Sequence, residues 1–172
     1  MSFMHPTDRR AWLAAALEAY EGRLVRYAAR LTGDAEAARD VVQETFARLC
    51  RQSPAELNGR LGPWLFAVCR NRALEVRRKD KRMMSEATGV LELTADAGIG
   101  PAEAASSRED AGGVLRLLAA LPADQQEVVR LKFQEQMSYR EIAQVTGHSV
   151  SNVGFLMHTA IKKLRARMCN DD

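Results

Sequence analysis

Apolar residues recur at helical spacing along almost the whole chain, and nowhere do they alternate with polar ones as a half-buried strand requires. A chain of this kind can fold only by burying one helix stripe against another. Asp8 can cap a helix that runs to about Leu31, where Thr32-Gly33-Asp34 supplies a stop and a new start. A second helix covers about Ala35 to Arg51. Ser53 to Gly62, with Pro54, Asn58, Gly59 and Gly62, is predicted as a loop, and Pro63 stands in the first turn of a third helix that continues to about Arg82. At Ser85 the composition changes. Residues 85–113 contain five Gly, one Pro and no aromatic among small and acidic residues, the signature of a linker. Helices resume near Val114, break at Pro122, restart to about Phe133 and are followed by two more. The expected fold is all-α: two small helical domains, 8–84 and 114–170, on a flexible acidic tether of residues 85–113.

With 47% hydrophobic residues in 172, there is enough apolar matter for two cores. The net charge of +3 conceals an uneven distribution. Residues 1–84 hold 16 basic and 10 acidic groups, residues 85–113 hold 1 and 6, and residues 114–172 hold 8 and 6. A strongly basic block in so short a chain points to nucleic acid. The three cysteines, Cys50, Cys69 and Cys169, are too few and scattered for a disulfide framework, and His5, His148 and His158 have no metal-ligand spacing, so no metal or other cofactor is expected. Pro6 and charges precede any apolar segment, and the longest apolar run, Ala11 to Leu17, is far short of a membrane span. A soluble, cytoplasmic protein without membrane insertion is expected. A Gly-rich phosphate loop and a nucleophile elbow are both lacking, which argues against an enzyme.

The most informative motif lies near the C-terminus. Ser138 and Glu141 have the spacing of a capping box opening a short helix, Tyr139 to Val145. Thr146-Gly147-His148 is a tight turn, and Ser149 can cap a long helix ending near Met168. Ala143, Gly147 and Val153 occupy the places where a helix-turn-helix needs a small residue, a turn residue able to take positive φ and a branched apolar residue. On a wheel of the last helix, Val150, Val153, Met157, Ala160, Leu164 and Met168 fall within about 80° and are predicted to be buried. Opposite them lie Ser151, Asn152, Phe155, His158, Thr159 and Lys162, the face that enters a major groove in such a motif. Ser151 and Asn152 can bond base edges, while Lys162, Lys163 and Arg165 stand further along, where phosphates run. Phe155 fits either a thymine methyl or an apolar patch on a protein partner.

A second basic element runs from Arg70 to Arg82, with Arg70, Arg72, Arg77, Arg78, Lys79, Lys81 and Arg82 against Glu75 and Asp80. Its helix begins with Trp64-Leu65-Phe66 and continues the apolar stripe through Cys69, Ala73 and Val76, so a buried face and a basic end are separate. Such a density of cations suits a salt-dependent grip on a phosphate backbone. On the preceding helix Val42, Phe46, Leu49 and Cys50 are predicted to face inward, leaving Asp40, Gln43, Glu44 and Arg51 outside.

Four motifs in order, Asp40-Val-Val-Gln-Glu-Thr-Phe46, Pro63-Trp-Leu-Phe-Ala-Val-Cys-Arg-Asn-Arg-Ala-Leu-Glu-Val-Arg-Arg78, Leu121-Pro122 with Gln126 to Lys132, and Ser138-Tyr-Arg-Glu-Ile-Ala143 with Leu164-Arg165, resemble a bacterial sigma factor of the extracytoplasmic-function (ECF) group. The resemblance spans about residues 10–168. It implies that the first domain is sigma region 2, docking on core RNA polymerase and capturing the minus-ten element as it melts, and that the second is region 4, reading the minus-thirty-five element. It assigns polymerase binding to Asp40, Gln43, Glu44 and Arg51, and minus-ten binding to Asn58, Arg70, Asn71, Arg77, Arg78 and Lys79. Ser149, Ser151, Asn152, Phe155, His158, Thr159, Lys162 and Lys163 fall to the minus-thirty-five element. It also implies an anti-sigma factor as a partner besides promoter DNA. The chain departs from the group at Gly154-Phe155-Leu156 and near Thr159, where many members carry Lys or Arg. The competing reading is a helix-turn-helix regulator with an N-terminal helical sensor domain, which would bind duplex DNA without polymerase.

Overall fold

The computed structural model describes residues 6–57, 59–88 and 109–168, and all of its regular elements are helices. They are α1 (Pro6–Thr32), α2 (Ala35–Leu49), α3 (Pro54–Leu57), α4 (Leu61–Thr88), α5 (Glu109–Ala119), α6 (Ala123–Phe133), α7 (Tyr139–Thr146) and α8 (Val150–Met168). The chain divides into two compact units, residues 1–92 and 93–172.

In the first unit α1, α2 and α4 pack against one another. Leu24, Tyr27, Ala28 and Leu31 of α1 meet Ala38, Val41, Val42 and Leu49 of α2 and Leu65, Phe66, Cys69 and Ala73 of α4, all buried. Tyr27 and Phe66 meet edge to face with ring centroids 5.1 Å apart, and the Arg23 guanidinium lies 4.9 Å from the Tyr20 ring and 5.9 Å from Phe66. Gly62 lets α4 start tight against α1, because a Cβ there would stand 3.1 Å from the Tyr20 hydroxyl. The break between α1 and α2 is the predicted one. Gly33 takes φ +76°, and the Asp34 side chain accepts a hydrogen bond from the Ala37 N–H at 2.7 Å.

Four local expectations are corrected. Asp8 is not a cap: α1 begins at Pro6, and Asp8 lies in the first turn, where a negative charge suits the helix dipole. Within the expected loop Ser53–Gly62, Pro54–Leu57 closes one helical turn held by reciprocal Ser53 and Glu56 hydrogen bonds, and buries Leu57; Asn58 lies outside the described residues. Cys50 is exposed, because it caps α2 past the last buried turn, and Thr45 takes an interior place instead by donating its hydroxyl to the Val41 carbonyl at 2.8 Å. Finally, α4 continues through Ser85 to Thr88, and α5 takes up Glu109–Gly113, so the ends of the expected linker are helical. A nucleated helix propagates at little cost through residues such as Met84, Glu86 and Ala87. The rest of the linker lies outside the described residues.

In the second unit α6, α7 and α8 pack around Val128, Leu131, Ile142, Val145, Val153, Met157 and Ala160, with Leu118 of α5 and Leu121 also buried. The Gln126 side chain donates to the carbonyls of Ala119 and Leu121 at 3.2 and 2.8 Å, closing the end of α5. The predicted stripe of α8 holds in its middle. At its ends Val150 and Met168 are exposed.

Candidate nucleic-acid interface

The turn between α7 and α8 is built from local chemistry. The Ser138 hydroxyl accepts the Glu141 N–H at 3.3 Å while the Glu141 carboxylate accepts the Ser138 N–H at 2.7 Å, a complete capping box. Hydrogen bonds from the Ser138 backbone and hydroxyl, with the nearby Lys132 charge, hold the Glu141 carboxyl below its ordinary pKa. Gly147 takes φ +78° and donates its N–H to the Ala143 carbonyl, ending α7. The Ser149 hydroxyl then accepts the Asn152 N–H at 3.1 Å and starts α8. Ser149 therefore sits at the head of the helix, with its hydroxyl hydrogen still able to donate to a ligand.

Burial of Val153, Met157 and Ala160 fixes the roll of α8 and turns Ser151, Asn152, Phe155, His158, Lys162 and Lys163 to solvent. Phe155 is 65% exposed, so its ring is available for an apolar contact from outside the unit. Thr159 differs from the others, being half-buried with its hydroxyl donating to the Phe155 carbonyl at 2.9 Å. Sequence reasoning missed Tyr139. Its ring lies 3.9 Å from where a Gly154 Cβ would stand, an ordinary van der Waals distance, and 5.7 Å from the Lys132 ammonium, so an aromatic packs beside Gly154 at the mouth of the motif without requiring a glycine there. Nothing in the spacing signalled that neighbour.

On α4, Asn71, Arg78 and Lys79 are exposed, whereas Arg70 and Arg77 are half-buried. The Arg78 Nε–H donates back to the Leu74 carbonyl at 3.3 Å, which leaves its terminal nitrogens outward. On α2, Asp40 and Gln43 are exposed, as is Arg51 just beyond the helix end. Glu44, unlike the exposed Asp40, is half-buried. Its carboxylate pairs with Arg48 at 3.0 Å and with Arg72 of α4 at 2.6 Å, and Arg72 also reaches Glu75 at 3.1 Å. The Arg72 Nε contact is a charge pair rather than an aligned hydrogen bond. The Glu75 hydrogen bond, aided by the Glu44 charge, holds the Arg72 guanidinium above its ordinary pKa. Arg72, read from the sequence only as one cation of the basic run, thus ties the acidic helix to the basic one, while Arg48, absent from the sequence-derived set, pairs with Glu44 within α2.

Two helical units, one with an acidic and a basic face and one with a helix-turn-helix, match known families in the same order. Sigma-70 region 2 matches residues 16–83, and Sigma-70, region 4 matches residues 112–164. The ECF RNA polymerase sigma factor SigL of Mycobacterium tuberculosis is 30% identical over 158 residues, covering 90% of this chain and 88% of the relative. The chain belongs to the ECF RNA polymerase sigma factors. SigM of Bacillus subtilis is 26% identical over 157 residues, covering 89% of this chain and 94% of the relative. The sigma factor RpoE, solved in complex with the anti-sigma factor NepR from Bartonella quintana, superposes with a TM-score of 0.66 at 25% identity, covering 96% of this chain and 99% of that one.

As a sigma factor the protein works with core RNA polymerase and promoter DNA, directing promoter-specific transcription initiation. It is a regulatory protein, and that assignment displaces the reading as a stand-alone regulator with a sensor domain. No helix among the described residues is long and apolar enough to cross a membrane.

Proposed function

We propose that the two units divide the work of promoter opening between three surfaces. Asp40, Gln43 and Arg51 face core polymerase, with Glu44 acting from behind them as the anchor of Arg48 and Arg72. Asn71, Arg78 and Lys79, flanked by Arg70 and Arg77 and joined by Asn58, take the minus-ten strand as it unpairs. The outer face of α8 reads the minus-thirty-five duplex: Ser151 and Asn152 at base edges, Phe155 against a thymine methyl, His158 and Thr159 in the middle, Lys162 and Lys163 on phosphates, and Ser149 at the helix head. Residues 8–84 act as region 2, 114–170 as region 4, and 85–113 as the acidic tether between them.

The observation that carries this reading is the roll of α8, which buries Val153, Met157 and Ala160 and leaves the hydrogen-bonding and cationic residues outside. The factor has no chemistry of its own and supplies binding energy alone, in the cytoplasm where transcription takes place. The complex formed by RpoE with NepR supports an anti-sigma partner for this chain as well. In vitro transcription with core polymerase over a randomised promoter library tests the whole assignment. Wild-type protein selects a two-part promoter, Asn152→Ala relaxes selection in the upstream part, and Asn71→Ala lowers open-complex yield without changing upstream selection. Unchanged selection in both variants overturns it.

A further inference from the structure

Two cations of α6 have different surroundings. Lys132 is half-buried, and its ammonium donates to the Met137 carbonyl at 3.3 Å and lies 5.7 Å from the Tyr139 ring. Arg130 is half-buried as well, about 160° round the helix from Lys132. No carboxylate among the described residues pairs with its guanidinium; Glu127, one turn back, is buried but is not its partner. Burial alone acts on the group and holds it below its ordinary pKa. One turn earlier on the same side, Gln126 bonds the carbonyls of Ala119 and Leu121. One turn later Phe133 is 63% exposed. The apolar closure of the helix end is made without that ring, because the Met137 N–H donates to the Leu131 carbonyl at 3.1 Å and the Met137 side chain is buried. A desolvated cation and a bare phenyl ring thus stand about 60° apart and one turn from each other, neighbours on the helix surface.

We propose that Arg130 and Phe133 form a docking face for an acidic amphipathic helix of a regulatory protein, which sets a carboxylate on the guanidinium and an apolar side chain, one turn away, on the ring. A half-buried charge without compensation weakens the fold that holds it, and a planar guanidinium donates to a carboxylate through two parallel N–H bonds. The described residues supply no such acid, so it comes from outside. Phe133 beside the cation suits a protein rather than a phosphate, since arginine and aromatic side chains together carry much of the binding energy at protein interfaces. The polymerase contacts proposed above lie at α2 of the first unit, which makes this a separate protein contact. Its direction matters too. Lys132 turns toward Tyr139 at the mouth of the motif, and Arg130 and Phe133 stand about 160° and 100° round from it. A helix docked there leaves the outer face of α8 open, so that partner and promoter are held together, a consequence that rests on the assignment of that face to DNA.

The test uses the full chain as bait for a displayed library of random helical dodecapeptides. The enriched peptides carry Asp or Glu one turn from Leu, Phe or Trp. Their affinity falls at least about tenfold on Arg130→Met and on Phe133→Ala, and is unchanged on Arg140→Met, which replaces an exposed arginine of α7. Arg130→Met unfolds at the same or a higher urea concentration than wild type, because it removes a desolvated charge and retains side-chain bulk, and it assembles with core polymerase as wild type does. On holoenzyme at a promoter recovered from the randomised promoter library, the peptide stays bound. Enrichment without acids, equal affinity for Arg130→Met, or displacement by promoter overturns the docking face. So does a lower urea midpoint, which makes the arginine structural, and so does weaker assembly with core, which gives the face to polymerase. Failure of wild-type holoenzyme to select a promoter falls instead on the assignment of α8, and the peptide affinities still decide the face.

Discussion

Glu44 and Arg72 show how one ion pair alters the meaning of a surface. With its carboxylate already shared by two guanidiniums at 3.0 and 2.6 Å, Glu44 has less to offer a basic partner than the exposed Asp40. Asp40→Asn is therefore expected to weaken assembly with core polymerase more than Glu44→Gln, measured by competition for labelled core. A partially exposed pair contributes about 0.2–1 kcal/mol, so a double-mutant cycle of Glu44→Gln and Arg72→Gln read by urea unfolding should give a coupling below about 1 kcal/mol. A second residue-scale expectation concerns thiols. Burial pushes the Cys69 thiol up to about 12, with only a small opposing effect from Thr45, so the reactive thiolate is scarce at neutral pH. Peptide-level alkylation of the native protein should label the exposed Cys50 within minutes and Cys69 only in denaturant; equal labelling would mean that the α1–α2–α4 core is open.

At the scale of elements, α7 and its flanking turns hold the recognition helix in place, and they are stabilised by two local devices. Ser138→Ala removes the cap and should cost about 1 kcal/mol; Gly147→Ala forces a Cβ into φ +78° and should cost about 1–2 kcal/mol. The Glu141 carboxyl has a lowered folded pKa, so its contribution is fully present above the ordinary glutamate range and is lost as pH falls through the lowered value. Acid unfolding of the second unit, followed by the near-ultraviolet signal of Tyr139, should accordingly shift to higher pH in Glu141→Gln, which retains the shape of the side chain but not its charge. These devices were legible because each lies within a few residues of sequence: capping box, turn glycine and wheel face are all short-range patterns. What was not legible depends on where an element stops or on who its neighbour is. The continuation of α4 past Arg82 to Thr88 required knowing where the helix stops, the exposure of Cys50 and Val150 required knowing which helix turn loses its cover, and the pairing of Glu44 with Arg72 joins residues 28 apart on different helices. Periodicity reports a face, and only packing reports whether anything lies against it.

For the molecule as a whole, the distribution of cations decides which unit carries the salt dependence of promoter binding. From Arg70 to Arg82 the chain holds seven cations against two acids, whereas α8 brings Lys162, Lys163, Arg165 and Arg167, all beyond the turn of Ser151 and Asn152 that is proposed to meet base edges. On the proposed assignment, recognition by α8 is expected to rely on hydrogen bonding from Ser151 and Asn152 and on apolar cover of Phe155 more than on counterion release. Removing the minus-thirty-five half of a promoter should then lower holoenzyme affinity while reducing the salt slope by no more than about four, one for each cation of α8. Replacing the thymines of that half by deoxyuridine, which deletes only the methyl groups, should weaken binding by wild type and leave Phe155→Ala unaffected. A slope reduction of five or more, or an equal uridine effect in both proteins, would place the discriminating contacts on phosphates instead, and would assign Phe155 to a protein surface.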